Sequence, residues 1–140
     1  MKLDSIALYK VCEPVDFSNT KKNLKFAHQL IKIMQQEKGV GLAANQCGLS
    51  MRLFVMKIND RFYHCFNPEI IEFGKDNVAS SEGCLSFLGK VCTVSRPYSI
   101  KVKYFSAQGQ ETVEWLAGLA ARCFQHELDH LNGITMFDRL

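Results

Sequence analysis

The chain has 140 residues, 47% hydrophobic and 22% charged, which fits one domain spanning 1–140 around one core and leaves no compositional case for disorder. Its 17 Lys and Arg against 14 Asp and Glu give a net charge of +3. That charge is spread along the sequence without a basic block, so no direct nucleic-acid contact is expected. No long charge-free apolar run marks a membrane helix, and MKLDSIALYK lacks the apolar region of a secretory signal. The expected location is the cytoplasm, with all six cysteines reduced.

In chain order, Leu24, Ala27, Leu30, Ile31 and Met34 recur at three- and four-residue spacing, which predicts a helix from about Thr20 to Lys38 with Gly39 as its stop. MRLFVMKI and RFYHCF, parted by Asn59 and Asp60, and EIIEF after Pro68 predict strands joined by tight turns between Met51 and about Glu72. A second hairpin is predicted between YSIKVKYFS and ETVEWLA, with Ala107, Gln108 and Gly109 at its turn. From about Gly118 to Leu131 the helical period returns and puts Leu119, Cys123, His126 and His130 on one stripe. Strands between two helices, without βαβ alternation, predict an α+β fold with mainly antiparallel sheets, one N-terminal helix and a central helix carrying the histidines.

The chemistry concentrates in that last helix. His126-Glu127-Leu128-Asp129-His130 is an H-E-x-x-H pattern. Its two imidazoles stand one turn apart on one face, able to chelate one divalent metal ion, and Glu127 flanks them within reach of a metal-bound water. The third ligand is not found downstream, where Gly133 fits a longer pattern but Met136 stands at its final position and Asp138 is the one remaining hard donor. Upstream, the candidates are a thiolate, His28, His64 or a carboxylate. His28 and His64 lack a supporting motif. Cys84 lies in Ser81-Glu82-Gly83-Cys84-Leu85-Ser86, where Gly83 permits close backbone approach and Glu82 can orient a neighbour; ligation and simple burial both stay open for it. GVGLAANQ (39–46) fits neither a phosphate loop nor a dinucleotide fingerprint. A helix cap running into a buried strand explains its glycines but leaves the polar Gln46 unexplained.

Taken in order, GVGLAANQ, EGCLS and QHELDHLNG resemble the three signature motifs of the peptide deformylases, and the resemblance runs from about Leu8 to Leu140. It implies a hydrolase that removes the formyl group from the initiator N-formylmethionine of nascent polypeptides and releases formate. By the same resemblance Cys84, His126 and His130 hold iron(II), with a water in the fourth position. Glu127 is the general acid/base, and the Gln46 amide and the Leu85 backbone N–H bind the developing oxyanion. The substrate peptide, an N-formylmethionyl chain, is expected near Val40, Gly41, Leu42, Gly83, Leu119 and Cys123. Arg122 either rims the pocket or is a solvated face residue, the second being the preferred reading. Arg96 reads either as a support of the site or as a surface pair.

Cys-His₂ donors suit zinc, nickel or cobalt as well as iron. The sequence departs from the family where Phe87 is followed by Leu88-Gly89 rather than Pro and Gly, which leaves the shape of that loop open. Longer bacterial members continue into a C-terminal helix associated with ribosome docking, which is missing after Leu140, so a ribosome contact is left open. Two other readings of H-E-x-x-H are a metallopeptidase cutting internal peptide bonds and a noncatalytic metal module. The second conflicts with the lack of a fourth protein ligand, since structural sites are normally closed.

Overall fold

The computed structural model describes residues 1–140. Helix α1 spans Thr20–Gln36, its first turn capped by Asn19, whose Oδ1 accepts a hydrogen bond from the Lys22 N–H at 3.0 Å. It ends two residues before the predicted Lys38. Lys38 adopts φ 57°, the Lys38 N–H donates to the Gln35 carbonyl (3.1 Å) and the Gly39 N–H to that of Met34 (2.8 Å). This is the paired closure of a Schellman end, with a lysine rather than Gly39 in the left-handed position. Gly39 answers a different need, because a Cβ there would lie 2.7 Å from Leu85 Cδ1.

Seven strands follow: β1 (Gly41–Ala43), β2 (Leu53–Ile58), β3 (Arg61–Phe73), β4 (Asn77–Gly83), β5 (Val91–Pro97), β6 (Ser99–Phe105) and β7 (Glu111–Ala117). All pairings among them are antiparallel, in a five-stranded sheet of order β1-β2-β3-β6-β7 and a separate β4-β5 ribbon. Asn59 and Asp60 both take positive φ (50° and 65°), as a two-residue primed turn requires between β2 and β3. The break predicted at Pro68 does not occur. β3 runs through it by a bulge between Phe66 and Glu69, with Asn67 at φ 46°, so the proline's missing N–H falls where the ladder is already interrupted. The β4-β5 ribbon was not predicted at all.

Helix α2 (Leu119–Leu131) starts at Gly118, in agreement with the period of the sequence. The two helices cover opposite faces of the sheet, and β2 shows how. Leu53 and Val55 pack with Ala27, Leu30, Ile33 and Met34 of α1, whereas Phe54, Met56 and Ile58 pack with Cys123, Phe124 and Leu131 of α2. Alternate side chains point to opposite faces, so a strand buried on both must be continuously apolar. The Phe54 and Phe124 rings meet edge-on at 4.9 Å. Each large aliphatic or aromatic side chain buried in this way contributes about 1.5–3 kcal/mol. That clamps the histidine-bearing helix against β1 and β2. No helix is long and apolar enough to cross a membrane.

Candidate metal centre and peptide groove

α2 delivers His126 and His130 one turn apart, with ring centroids 4.9 Å and Nε2 atoms 3.2 Å from each other. Cys84 follows directly after β4, and its Sγ lies 3.3 Å from His130 Nε2. The three candidate donor atoms all fall within 4.8 Å of one another. Donors about 2.0–2.3 Å from a shared tetrahedral centre are separated by roughly 3.3–3.7 Å, so the arrangement fits a small divalent cation. The three buried side-chain polar atoms without a hydrogen-bond partner, Asn45 Oδ1, Glu127 Oε1 and His130 Nδ1, all belong to residues of this centre or the wall behind it. Buried polar atoms are rarely left so.

The centre also collects charge. Burial disfavours protonation of both rings, yet hydrogen bonds to Cys84 and Glu82 raise His126 to about 10, while burial and the adjacent His126 lower His130 to about 3.

Behind the ligands stands a buried ionic network. Glu82 accepts from Arg96 through both oxygens (Nε 2.5 Å, Nη2 2.9 Å) and from Arg122 Nη1 (2.6 Å), and its Oε1 lies 2.9 Å from His126 Nδ1. Burial would raise this carboxyl, but hydrogen bonds from His126 and Arg96 outweigh it and hold Glu82 at about 2. A carboxylate on Nδ1 fixes the ring's orientation and leaves Nε2 to face the centre. Arg96 continues to Asp129 (Nη1 to Oδ2, 2.9 Å), which also accepts from Arg139 at 2.8 and 3.1 Å. Asn45 Nδ2 donates to the His130 carbonyl.

Two expectations are corrected or decided here. Arg122 is not a solvated face residue. Its guanidinium is spent on Glu82 and on the carbonyls of Val94 (2.9 Å) and Val78 (2.5 Å), so it ties α2 to both strands of the ribbon. Arg96 supports the site rather than pairing on the surface, with 4% of its side chain exposed.

A groove of about 390 Å³ opens on the ligands, lined among others by Val40, Gly41, Gln46, Gly83, Leu85, Leu119, Cys123 and Glu127. Glu127 is buried against Gly41, where an added Cβ would come 2.6 Å from Oε2. Burial, only partly countered by the charge of His126, raises its carboxyl to about 7. Gln46, in a 3-10 turn over Ala44–Gln46, accepts from the Ala43 N–H through Oε1 (2.9 Å). Its Nε2 is thereby aimed at the centre, 3.5 Å from Cys84 Sγ and 3.0 Å from Ser86 Oγ. The Leu85 N–H makes no backbone hydrogen bond.

Leu42 does not line the groove. The period-two alternation of β1 turns its side chain into the α1 core at 0% exposure. His28 and His64 lie elsewhere, edge-to-face with each other at 5.7 Å. Asp138 caps the last 3-10 turn by accepting from the Thr135 N–H. The loop after Cys84 is closed by the Phe87 N–H to the Cys84 carbonyl (3.0 Å) and by the Phe87 ring against Phe137 (4.9 Å). Leu88 is 71% exposed, so the residue in place of the usual proline takes little part in packing.

The sequence matches the family model described as polypeptide deformylase over residues 1–140. The chain belongs to the polypeptide deformylase family. A peptide deformylase of Thermotoga sp. (strain RQ2) is 43% identical over 122 residues, covering 87% of this chain and 73% of the relative. One from Prochlorococcus marinus (strain AS9601) is 37% identical over 145 residues, covering 95% and 72%. The crystal structure of peptide deformylase from Thermotoga maritima superimposes with a TM-score of 0.94 at 40% identity, over 99% of this chain and 96% of that one. An actinonin-bound class I type b peptide deformylase from Acinetobacter baumannii gives 0.92 at 31%, over 99% and 97%. The α+β architecture is therefore that of the deformylases, metal-dependent enzymes acting on formylated nascent peptides.

Proposed function

We propose that this chain, as one catalytic unit over 1–140, removes the formyl group from the initiator N-formylmethionine of nascent polypeptides in the cytoplasm. Cys84 Sγ, His126 Nε2 and His130 Nε2 hold a divalent cation, iron(II) by family resemblance. The observation that carries the reading is the convergence of those three donors beside a buried, unpartnered Glu127 oxygen and an aimed Gln46 amide. The cation, when bound, supplies Lewis acidity to a water and to the formyl carbonyl.

The chain's own groups do the rest. The groove takes the peptide between β1 and β4, with the methionine side chain against Val40, Leu119 and Cys123 and its backbone near Gly41 and Gly83. Gln46 Nε2 and the Leu85 N–H donate to the formyl oxygen as charge develops there. Glu127 accepts a proton from the attacking water at its free oxygen and returns it to the departing amine nitrogen, so that the C–N bond breaks to formate and a free N-terminus. Glu82 keeps His126 in register throughout.

Formate release from formyl-Met-Ala-Ser by metal-replete protein tests this, with Glu127→Gln as control. The reading requires release by the parent and its loss in the variant. Cleavage of unformylated peptides at internal bonds without formate release would replace it with the metallopeptidase reading.

A further inference from the structure

Lys38 and Lys90 line the mouth of the groove and are both exposed, and neither takes part in the metal centre or in the ionic network behind it. Lys38 sits in the turn that closes α1, where its N–H donates to the Gln35 carbonyl at 3.1 Å. The Gly39 that follows lies so close to Leu85 that a Cβ would come within 2.7 Å of Cδ1. Lys90 ends the loop after Cys84. Its N–H donates to the Phe87 carbonyl at 3.1 Å, and its own carbonyl lies 3.9 Å from where a Cβ on Gly83 would stand. The backbone therefore fixes one lysine on the α1 side of the groove and the other on the ribbon side. Neither has a carboxylate within 4.0 Å, although Lys57 and Lys103 elsewhere do. The two carboxylates of the groove offer them no counter-charge: Glu82 is held by Arg96, Arg122 and His126, and Glu127 is buried at the centre. Glu37, next to Lys38 in the sequence, does not line the groove.

We infer that Lys38 and Lys90 give this groove a charge preference, favouring acidic side chains at the second and third residues of the substrate peptide and disfavouring basic ones. The placement of the peptide rests on the proposed function. With the formyl group at Gln46 and Leu85 and the methionine against Val40, Leu119 and Cys123, the lining left for the residues that follow is Lys38 and Gly39 on one bank and the loop 87–90 on the other. An extended chain advances about 3.3 Å per residue and turns successive side chains to opposite sides. Residues two and three thus present their side chains to opposite banks, with one lysine on each. A basic side chain there meets like charge with no carboxylate to offset it. An exposed pair of opposite charges changes affinity roughly 1.4- to 5-fold, so exchanging two attractive pairs for two repulsive ones sets a preference of about 10-fold. The attraction is screened as the Debye length shrinks from about 30 Å at 0.01 M salt to about 3 Å at 1 M.

The test compares kcat/KM for formate release from C-terminally amidated formyl-Met-Glu-Glu and formyl-Met-Lys-Lys by the metal-loaded protein, at about 20 mM and about 500 mM salt. The readout is the ratio of the two peptides within one protein, so a general loss of activity in a variant cancels. The parent should prefer the acidic peptide by about 10-fold at low salt, through KM with kcat shared, and by less than about 2-fold at high salt. Lys38→Gln/Lys90→Gln should abolish the low-salt preference, and Lys38→Glu/Lys90→Glu should invert it. No preference in the parent, a preference for the basic peptide, a ratio that neither variant moves, or a difference confined to kcat would overturn the inference. Calorimetric titration of both peptides into the Glu127→Gln variant reads the same preference without turnover. Absence of formate release from either peptide would sink the proposed function; about 10-fold tighter binding of the acidic peptide in that titration would then still support the role of the two lysines, and equal binding would overturn it.

Discussion

Replacing Glu82 by Gln removes the one anion that Arg96, Arg122 and His126 share. Arg96 keeps Asp129 at 2.9 Å, but Arg122 retains only the carbonyls of Val78 and Val94. Breaking one partner out of a buried ionic cluster costs about 3–5 kcal/mol. Because Asp129 and two carbonyls remain, the lower end is expected. At about 2.1 cal/mol/K per residue over 140 residues, a loss of about 3 kcal/mol lowers Tm by roughly 10 °C. The freed Nδ1 of His126 also loses its orienting carboxylate, a change that typically weakens metal affinity about 10–100-fold. Calorimetry of the metal-loaded protein and a competitive chelator titration read the two effects separately. A Tm within about 2 °C of the parent together with unchanged metal affinity would refute the assignment of Glu82 as the anchor of the site.

Other substitutions probe the groove and the fold. Gly41→Ala puts a methyl group 2.6 Å from Glu127 Oε2 and 2.7 Å from Cys123 Sγ; stability should fall by about 1–3 kcal/mol and kcat with it, whereas a parent-like kcat would show that Glu127 is free to move. Gln46→Ala removes one oxyanion donor and should lower kcat about 10²- to 10³-fold, checked by steady-state formate release; a loss confined to KM would contradict the role. For His64, burial first and the neighbouring His28 second lower the folded-state pKa below the ordinary 6.5. The unfolded chain therefore binds the extra proton first, and stability should decline as pH falls from about 6.5 through the lowered value. His64→Gln should flatten that part of a urea-denaturation pH series, and an unchanged slope would locate the proton elsewhere.

Helical periodicity made α2 and its two histidines legible, because the residues that bind share the face that packs. Gln46 was legible as an anomaly, a polar residue ending an apolar run. The β4-β5 ribbon was not. Six of the seven residues of β4 are exposed, so the strand lacks an apolar alternation. In β5 the inward positions are Cys92, Val94 and Arg96, and the last is polar because Glu82 awaits it across the ribbon. Arg122 was misread for the same reason: a single arginine on a helix carries no trace of the carboxylate and carbonyls that other strands bring to it. Leu42 was misplaced because a three-residue strand is too short to show which side chain turns inward.

Anomalous diffraction from crystals of the metal-loaded protein tests the central claim most directly. The account predicts one peak about 2.3 Å from Cys84 Sγ and about 2.1 Å from Nε2 of both His126 and His130, with its open corner toward Glu127 and Gln46. A peak bound by the histidines alone, with the Cys84 sulfur out of bonding reach, would contradict it.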